Sequence, residues 1–249
     1  MIRLVNDFHP EAPGLDTAVS HALLRAVAAG RISETFRIHP TTRVLAFGGQ
    51  DRSAPGYAAA VRAARDRGYL PLVRLAGGRA AVFHEGTLAF SWAIPGPEPR
   101  AAVTERFETI SALLAGAFTD LGVDARVGEV PGEYCPGSYS VSIGGIAKVM
   151  GVGQRLVGGA AHVGGVIVVD GGRRIAEVLG PVYAALGLSW DPRTSGDLAD
   201  VNEEISLNAV TDAVIARLST HDTIEPSWLP GWLVDEGRQL VAEHVAPAA

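Results

Sequence analysis

Apolar residues recur at helical spacing in six segments of this chain. The clearest segment runs from Val103 to Leu121, where apolar side chains return every three or four positions and Gly122 follows as a stop signal. Another begins at Asp16, which can cap a helix, and ends at Gly30. The spacing predicts helices over 15–29, 55–67, 103–121, 174–186, 207–218 and 234–244.

Shorter apolar runs are separated by glycine-containing turns, which is typical of strands. Gly77-Gly78 and Glu85-Gly86 divide three such runs in the first half of the chain. A loop rich in Asp, Ser, Pro and Gly occupies 189–200. The pattern predicts strands over 43–47, 72–75, 80–83, 88–92, 123–127, 138–143, 147–150 and 163–169.

The strands come in hairpin-spaced groups, and helices lie between the groups instead of after every strand. That order predicts an α+β fold, with a mixed, mostly antiparallel sheet and helices packed on it. No internal repeat or linker divides the 249 residues. We therefore expect one domain over 1–249, with a core at about 15–218 and a C-terminal helical tail over 219–249 that cannot form a second domain.

Composition places the chain among globular proteins and disfavours two classes of partner. Hydrophobic residues make up 47% and charged residues 19%, which excludes the disordered class. The formal net charge is −6, and no Lys/Arg run is present, so nucleic acid and anionic membranes are not expected partners. The charged start of the chain does not fit a signal peptide, and the single cysteine cannot form an internal disulfide. These features predict a soluble cytoplasmic protein.

The segment 73–84 is the first candidate for chemistry. Gly77 and Gly78 would let backbone N–H groups approach a ligand, and Arg74 and Arg79 could pair with a phosphate or carboxylate. His84 stands at the far end of the segment. The segment fits neither a Walker loop nor a dinucleotide-binding fingerprint. A tight hairpin with surface arginines is the alternative interpretation.

Lys148 and Cys135 form the second candidate. Lys148 has no charged neighbour within six residues and lies in an apolar strand flanked by glycines, so burying it would require a partner anion or a polarised carbonyl oxygen. The alternative is an edge-strand lysine that resists aggregation. Cys135 precedes it in a turn, close enough for the ammonium to lower the pKa of the thiol and make a nucleophile.

Other uses of Cys135 remain open at this point. A lone cysteine is more often a small buried hydrophobic residue than a nucleophile. Zinc ligation with His84 and His162 is disfavoured, because the spacing of known sites is absent, and no metal site is predicted. No protease signature surrounds the cysteine.

Three motifs, in order, resemble the lipoate–protein ligase and octanoyltransferase family. The segment RLAGGRAAVFH (74–84) is similar to its R-R-x-S-G-G-G-A-V-x-H loop, KVMGVGQR (148–155) to K-x-x-G-S-A-Q-x-R, and HVGG (162–165) to the H-G-x-I strand. The resemblance spans about 15–218 and implies a biotin/lipoate-ligase-like α+β fold. It implies that Lys148 contacts the acyl carbonyl or acyl-adenylate. It also implies substrate-binding roles for Arg74, Gly77, Gly78, Arg79, His84, Gly151, Gln154, Arg155 and His162.

The chain departs from the family pattern at several positions. Gly77 stands where the family has serine, and Arg79 and Ala80 replace two loop glycines. Val152 and Gly153 replace the serine and alanine after the motif lysine. These replacements re-aim backbone donors and weigh against nucleotide binding.

The family contains two branches, and the resemblance favours one of them. YCPGSYSV (134–141) is similar to the P-C-F-x-x-P-S-x-Y-E segment of cysteine-dependent octanoyl- or lipoyltransferases, although Pro136 and Ser140 replace its Phe and Glu. This branch implies Cys135 and Lys148 as catalytic residues, no cofactor, and an acyl carrier protein or other acyl-carrier donor. The acceptor would be a lysine of a lipoyl-domain or glycine-cleavage H-type carrier protein.

Two alternatives remain. An ATP-dependent lipoate–protein ligase would use ATP and Mg²⁺ to form lipoyl-AMP from lipoate or octanoate, with Cys135 structural. A non-catalytic binder of lipoyl domains is the other, motivated by the lost loop glycines at Arg79 and Ala80.

Overall fold

The protein is described by a computed structural model over residues 1–246. The strands are β1 Ile2–Val5, β2 Thr35–Pro40, β3 Val44–Phe47, β4 Leu70–Val73, β5 Ala81–Phe83, β6 Thr87–Pro95, β7 Ala125–Val127, β8 Val141–Ile143, β9 Ala147–Val157, β10 Ala160–Val168 and β11 Ile224–Pro226. The helices are α1 Leu15–Ala28, α2 Gly49–Arg52, α3 Tyr57–Arg65, α4 Val103–Asp120, α5 Gly172–Leu186, α6 Leu207–His221 and α7 Gly231–His244.

Eight strands form the main sheet, in the order β11-β1-β2-β6-β10-β9-β8-β7. The pairings of β1 with β11 and with β2 are parallel, and the remaining pairings in this sheet are antiparallel. A smaller sheet, β4-β3-β5, pairs β3 parallel to β4 and antiparallel to β5. The predicted α+β class with a mixed, mostly antiparallel sheet is therefore confirmed.

Helices cover the main sheet on both faces, because apolar side chains point alternately to the two faces along its strands. In β6, Phe90 and Trp92 join a buried cluster with α4 and α6, whereas Ala93 packs in a different cluster with α1 and α7. The small sheet packs with α3 and α5 in a third cluster. Each large apolar side chain buried in this way contributes about 1.5–3 kcal/mol. The two sheets enclose a space beside α1, and the candidate site borders this space.

The sequence pattern missed β1, β2 and β11. Strand β2 alternates Phe36 and Ile38 toward the apolar core with Arg37 and His39 on the other side, and all four residues are buried. The guanidinium of Arg37 is compensated by Asp7 and Asp16, with Nε 2.8 Å from Asp7 Oδ1 and Nη2 3.1 Å from Asp16 Oδ1. A local pattern cannot distinguish such a strand from a polar loop, because its partners are distant in sequence.

The described part of the segment expected as a helical tail, residues 219–246, packs against the rest of the chain. Strand β11 extends the main sheet beside β1, and α7 packs along α1. His244 Nδ1 lies 2.8 Å from the carbonyl oxygen of Val73, which ties α7 to the end of β4. Within 224–246 the chain therefore contributes a strand and the helix α7 that pack against the core, and residues 247–249 lie outside the described part of the chain.

No helix between residues 1 and 246 combines the length and the apolar character that a membrane span requires.

Candidate active site

The cysteine predicted as a nucleophile lies in the loop between β7 and β8, with an unusual backbone conformation. The φ angle of Cys135 is 44°. Among residues 1–246, Cys135 is the one residue other than glycine whose φ is positive. Such a conformation costs about 1–3 kcal/mol and needs support from its surroundings. Its N–H donates to the Tyr183 hydroxyl at 2.9 Å, and its carbonyl oxygen accepts from Lys148 Nζ at 2.8 Å. Tyr183 of α5 and Lys148 of β9 therefore hold the backbone of Cys135 from both sides.

The sulfur of Cys135 accepts two hydrogen bonds from the glycine loop at 74–79. Arg74 Nη2 and the backbone N–H of Arg79 each lie 3.1 Å from Sγ. Burial raises the pKa of this thiol, but the charges of Arg74 and Lys148 and the two hydrogen bonds outweigh burial, so the pKa is lowered. The sequence spacing predicts that Lys148 meets the thiol. The cation in contact with the sulfur is instead Arg74.

Gly78 makes this contact possible. Its φ is +104°, and a Cβ placed there would lie 2.1 Å from Arg74 Nη2 and 2.8 Å from the Cys135 sulfur. Any larger residue would displace the sulfur or the guanidinium. At Gly77, in contrast, a Cβ would meet nothing within 4 Å. Of the two predicted glycines, Gly78 is therefore required by the contact between Arg74 and Cys135, whereas Gly77 leaves room for a side chain.

Lys148, the chain's one lysine, is buried in the same place, with 1% of its surface exposed. Its ammonium donates to the carbonyl oxygens of Tyr134 at 3.0 Å and Cys135 at 2.8 Å, and lies 3.3 Å from Glu133 Oε1. Burial lowers the pKa of Lys148, and the charge of Glu133 opposes that shift. Lys148 is thus buried beside a carboxylate of the chain itself, whereas the sequence pattern suggested a bound negative group or a polarised carbonyl oxygen.

The cysteine cavity opens beside these groups, with a volume of about 470 Å³. Arg74, Cys135 and Lys148 line one side, and Val103 and Phe107 of α4 line another. Predicted residues that also line it are Gly77, Gly78, Gly151 and Gln154.

A second cavity, the inter-sheet cavity, lies between the two sheets and has a volume of about 110 Å³. Arg74 lines both cavities, and His39 and His162 border only this one. Burial lowers the pKa of each histidine to about 4, so both are neutral at pH 7. The predicted residue His162 therefore contributes a neutral imidazole to the wall.

Three other predicted residues have different surroundings. Gln154 donates to the Val103 carbonyl at 2.7 Å and accepts from Arg106 Nε at 3.0 Å, so its amide holds the start of α4. Arg155 is exposed, next in β9 to Gln154, and lines neither cavity. His84 is buried, accepts at Nδ1 from the Gly86 N–H, and also lines neither cavity.

The donors around the sulfur suit a carbonyl oxygen that gains negative charge. The Arg74 guanidinium and the Arg79 N–H each already donate a hydrogen bond to the sulfur, and an oxyanion site requires donors that are held in place in this way. Over residues 1–246, no group of three His, Cys, Asp or Glu side chains is placed to hold a metal ion. Two donors on the sulfur of a thiol with a lowered pKa are compatible with nucleophilic acyl transfer.

Comparison with known proteins identifies the family. The model of the lipoyl protein ligase A/B catalytic domain matches residues 13–219. An octanoyl-[GcvH]:protein N-octanoyltransferase of Geobacillus kaustophilus is 36% identical over 169 residues, which is 67% of this chain and 59% of that protein. A lipoyl-[GcvH]:protein N-lipoyltransferase of Listeria monocytogenes is 29% identical over 202 residues, covering 77% of this chain and 72% of that protein.

Solved structures share the fold. A lipoate-protein ligase A bound with ATP superposes with a TM-score of 0.77 at 19% identity, over 97% of this chain and 94% of that one. A putative lipoate protein ligase from T. acidophilum with bound lipoic acid also gives 0.77, at 20% identity, over 97% and 95%. The chain therefore belongs to the lipoyl protein ligase A/B catalytic-domain family.

Proposed function

We propose that this protein transfers an octanoyl or lipoyl group from one carrier protein to a lysine of another, through a thioester on Cys135. The observation that carries the proposal is the pair of 3.1 Å contacts that Arg74 Nη2 and the Arg79 N–H make with Sγ. These contacts favour the thiolate, which is the nucleophilic form.

The names of the relatives support the choice of substrates. The Geobacillus and Listeria proteins are named for transfer of octanoyl or lipoyl groups from GcvH to protein. The match spans 59% of the length of the first and 72% of the second. We propose an acylated H-type carrier protein as donor, in preference to an acyl carrier protein, and a lipoyl-domain lysine as acceptor. A lone thiol would stay reduced in the cytoplasm, where we expect the reaction to occur.

In the first half-reaction, the Cys135 thiolate attacks the acyl carbonyl of the donor. The bond from that carbonyl to the donor's lysine nitrogen breaks, and the nitrogen leaves as an amine after taking up a proton. We assign the stabilisation of the oxyanion to Arg74 and the Arg79 N–H, because both already face the sulfur. Removing one such donor typically costs about 3–4 kcal/mol of transition-state stabilisation.

In the second half-reaction, the neutral amine of the acceptor lysine attacks the thioester carbonyl. An amide forms, the amine releases one proton, and Cys135 leaves as a thiolate. The proton taken up in the first step and the one released in the second balance. The hydrogen bonds of Lys148 to Tyr134 and Cys135 hold the loop in both steps.

We assign the acyl chain to the inter-sheet cavity, because Arg74 connects that cavity with the cysteine cavity. Val44, Leu75 and Phe83 contribute apolar walls. The larger cysteine cavity would then admit the lysine arms of donor and acceptor.

The proposal is tested by intact-mass analysis of the protein mixed with an octanoylated H-type carrier, without ATP. We expect one octanoyl group on the protein, its loss on addition of an unmodified lipoyl domain, and no adduct on Cys135→Ala. A Cys135→Ala protein with full transfer activity would overturn the thioester route.

The same experiment separates the alternatives. Incubation with lipoate, unmodified lipoyl domain, ATP and Mg²⁺ measures the ligase reaction. Modification in that arm alone would identify a ligase. Binding of the lipoyl domain without modification in either arm would identify a non-catalytic binder.

A further inference from the structure

Glu133 is a buried carboxylate that takes no part in the two proposed half-reactions. Only 3% of its surface is exposed. Its Oε1 accepts from the Gly137 N–H at 2.9 Å and from the Ser140 hydroxyl at 2.7 Å, and Oε2 accepts from the Val130 N–H at 3.4 Å. The carboxylate therefore fastens both arms of the loop that carries Cys135.

Glu133 and Lys148 depend on each other for burial. An isolated charge in a protein interior is costly, and the loss of one partner leaves the other uncompensated. The separation of Lys148 Nζ from Glu133 Oε1 is 3.3 Å. The remaining ammonium hydrogens point at the carbonyl oxygens of Tyr134 and Cys135. The ammonium is thus aimed at the backbone of the cysteine, and the carboxylate keeps it charged.

We infer that Glu133 is a positioning residue: it holds Lys148 as an ammonium against the carbonyls of Tyr134 and Cys135, and so keeps the sulfur facing Arg74. The inference deepens the proposed function and rests on the use of Cys135 as its nucleophile. It assigns Lys148 to the loop and not to direct contact with the sulfur.

The charges around the thiol predict the direction in which the pKa of Cys135 changes when Glu133 is neutralised. Arg74 and Lys148 lower the pKa of Cys135, and Lys148 is the cation that Glu133 contacts. Glu133 is the strongest charge that raises the pKa of Lys148, followed by Cys135, while Arg74 lowers it. Neutralising Glu133 should therefore act on Cys135 through Lys148: the ammonium loses its proton more easily, and the pKa of the thiol rises.

The test measures alkylation of the protein's only thiol by iodoacetamide as a function of pH, without any acyl substrate. Glu133→Gln keeps the shape and an acceptor oxygen but removes the charge. We expect its alkylation at pH 7 to slow roughly three- to tenfold, because the pKa of Cys135 rises and less of the thiol is ionised. Lys148→Met should slow alkylation by a similar factor, and the double variant should add little to either change.

Glu133→Asp is the conservative variant, and it should restore part of the native profile because the charge remains. Near-UV circular dichroism checks the folding of each variant. A native profile for Glu133→Gln beside a shifted profile for Lys148→Met, or additive effects in the double variant, would overturn the inference. If Glu133→Gln does not fold, an aspartate profile closer to that of the native protein than to that of Lys148→Met supports the inference, and an aspartate profile shifted as far as that of Lys148→Met refutes it.

Because alkylation needs no acyl group, this test is independent of the proposed transfer reaction. Absence of octanoyl transfer in the native protein would remove the proposed function and leave the alkylation result standing. A failed coupling between Glu133 and Lys148 would leave the thioester route intact.

Discussion

The Nη2 of Arg74 lies 3.1 Å from the sulfur of Cys135, and the same arginine lines both the cysteine cavity and the inter-sheet cavity. One guanidinium thus contacts the nucleophile at the point where the acyl chain would pass from one cavity to the other. Arg74 is therefore the side chain shared by the thiol and the proposed path of the acyl chain.

Replacing Arg74 by methionine should raise the pKa of Cys135. The native pKa is lowered, with Arg74 as the strongest favourable charge against burial, so the thiolate loses its main support. We expect roughly tenfold slower alkylation by iodoacetamide at pH 7. Arg74→Lys keeps a positive charge, so its alkylation rate should lie between those of the native protein and Arg74→Met. An unchanged pH profile for Arg74→Met would contradict the assignment.

Alanine at position 78 should impair the site far more than alanine at position 77. The added Cβ at Gly78 would overlap Arg74 Nη2 and the Cys135 sulfur, and φ +104° is strained for any L side chain. We expect octanoyl transfer to fall about 100-fold or more, as for other small displacements of reacting groups. Gly77→Ala is the matched control, since its Cβ meets nothing within 4 Å. Equal losses in both variants would refute this explanation.

A larger side chain at Ala89, which lines the inter-sheet cavity, should shorten the acyl chains that the protein accepts. Ala89→Leu should lower the rate for octanoyl relative to butanoyl donors by roughly tenfold or more. Ala58→Leu, on an exposed position of α3, serves as the control. If Ala89→Leu kept the native preference, the acyl chain would have to lie elsewhere, with the cysteine cavity as the next candidate.

The neutral histidines of the inter-sheet cavity should make the fold sensitive to acid. Burial depresses the pKa of His39 and His162 to about 4, below the ordinary value of 6.5. Between these values the unfolded chain binds protons that the folded chain does not, so stability is lost as pH falls through this window. The loss approaches about 3 kcal/mol per histidine near pH 4.

Urea unfolding at pH 7 and pH 4.5 measures this effect. His39→Gln and His162→Gln should each reduce the difference in unfolding free energy between the two pH values. His221→Gln, at an exposed position, should leave that difference unchanged. The assignment fails if all three variants keep the native pH dependence.

Much of the fold could be predicted from local patterns. Helix α4 begins at Val103 as predicted and ends one residue early, because its apolar face and the following Gly122 are both encoded locally. The glycine loop and the cysteine turn were also recognisable, because each depends on a short run of residues. Confirmed elements of this kind position most of the site.

The missed features depend on contacts between residues far apart in sequence. Strand β2 carries a buried arginine, Arg37, whose carboxylate partners come from the N-terminal loop and α1. Glu133 resembled an ordinary loop residue until the fold brought it to Lys148. The outward position of Arg155 follows from the length of β9, which continues to Val157 instead of ending at 150. The local pattern encoded neither the pairing of Glu133 with Lys148 nor the extent of β9.

The buried Lys148 also gives this chain an internal reporter of unfolding. An endoproteinase that cleaves only after lysine has a single target here, and that target is closed in the native state. Its cleavage rate would follow the population of the opened chain, and two fragments would mark each molecule that had opened. For the same reason, a protein proposed to acylate lysines exposes no lysine side chain of its own to the acyl groups it carries.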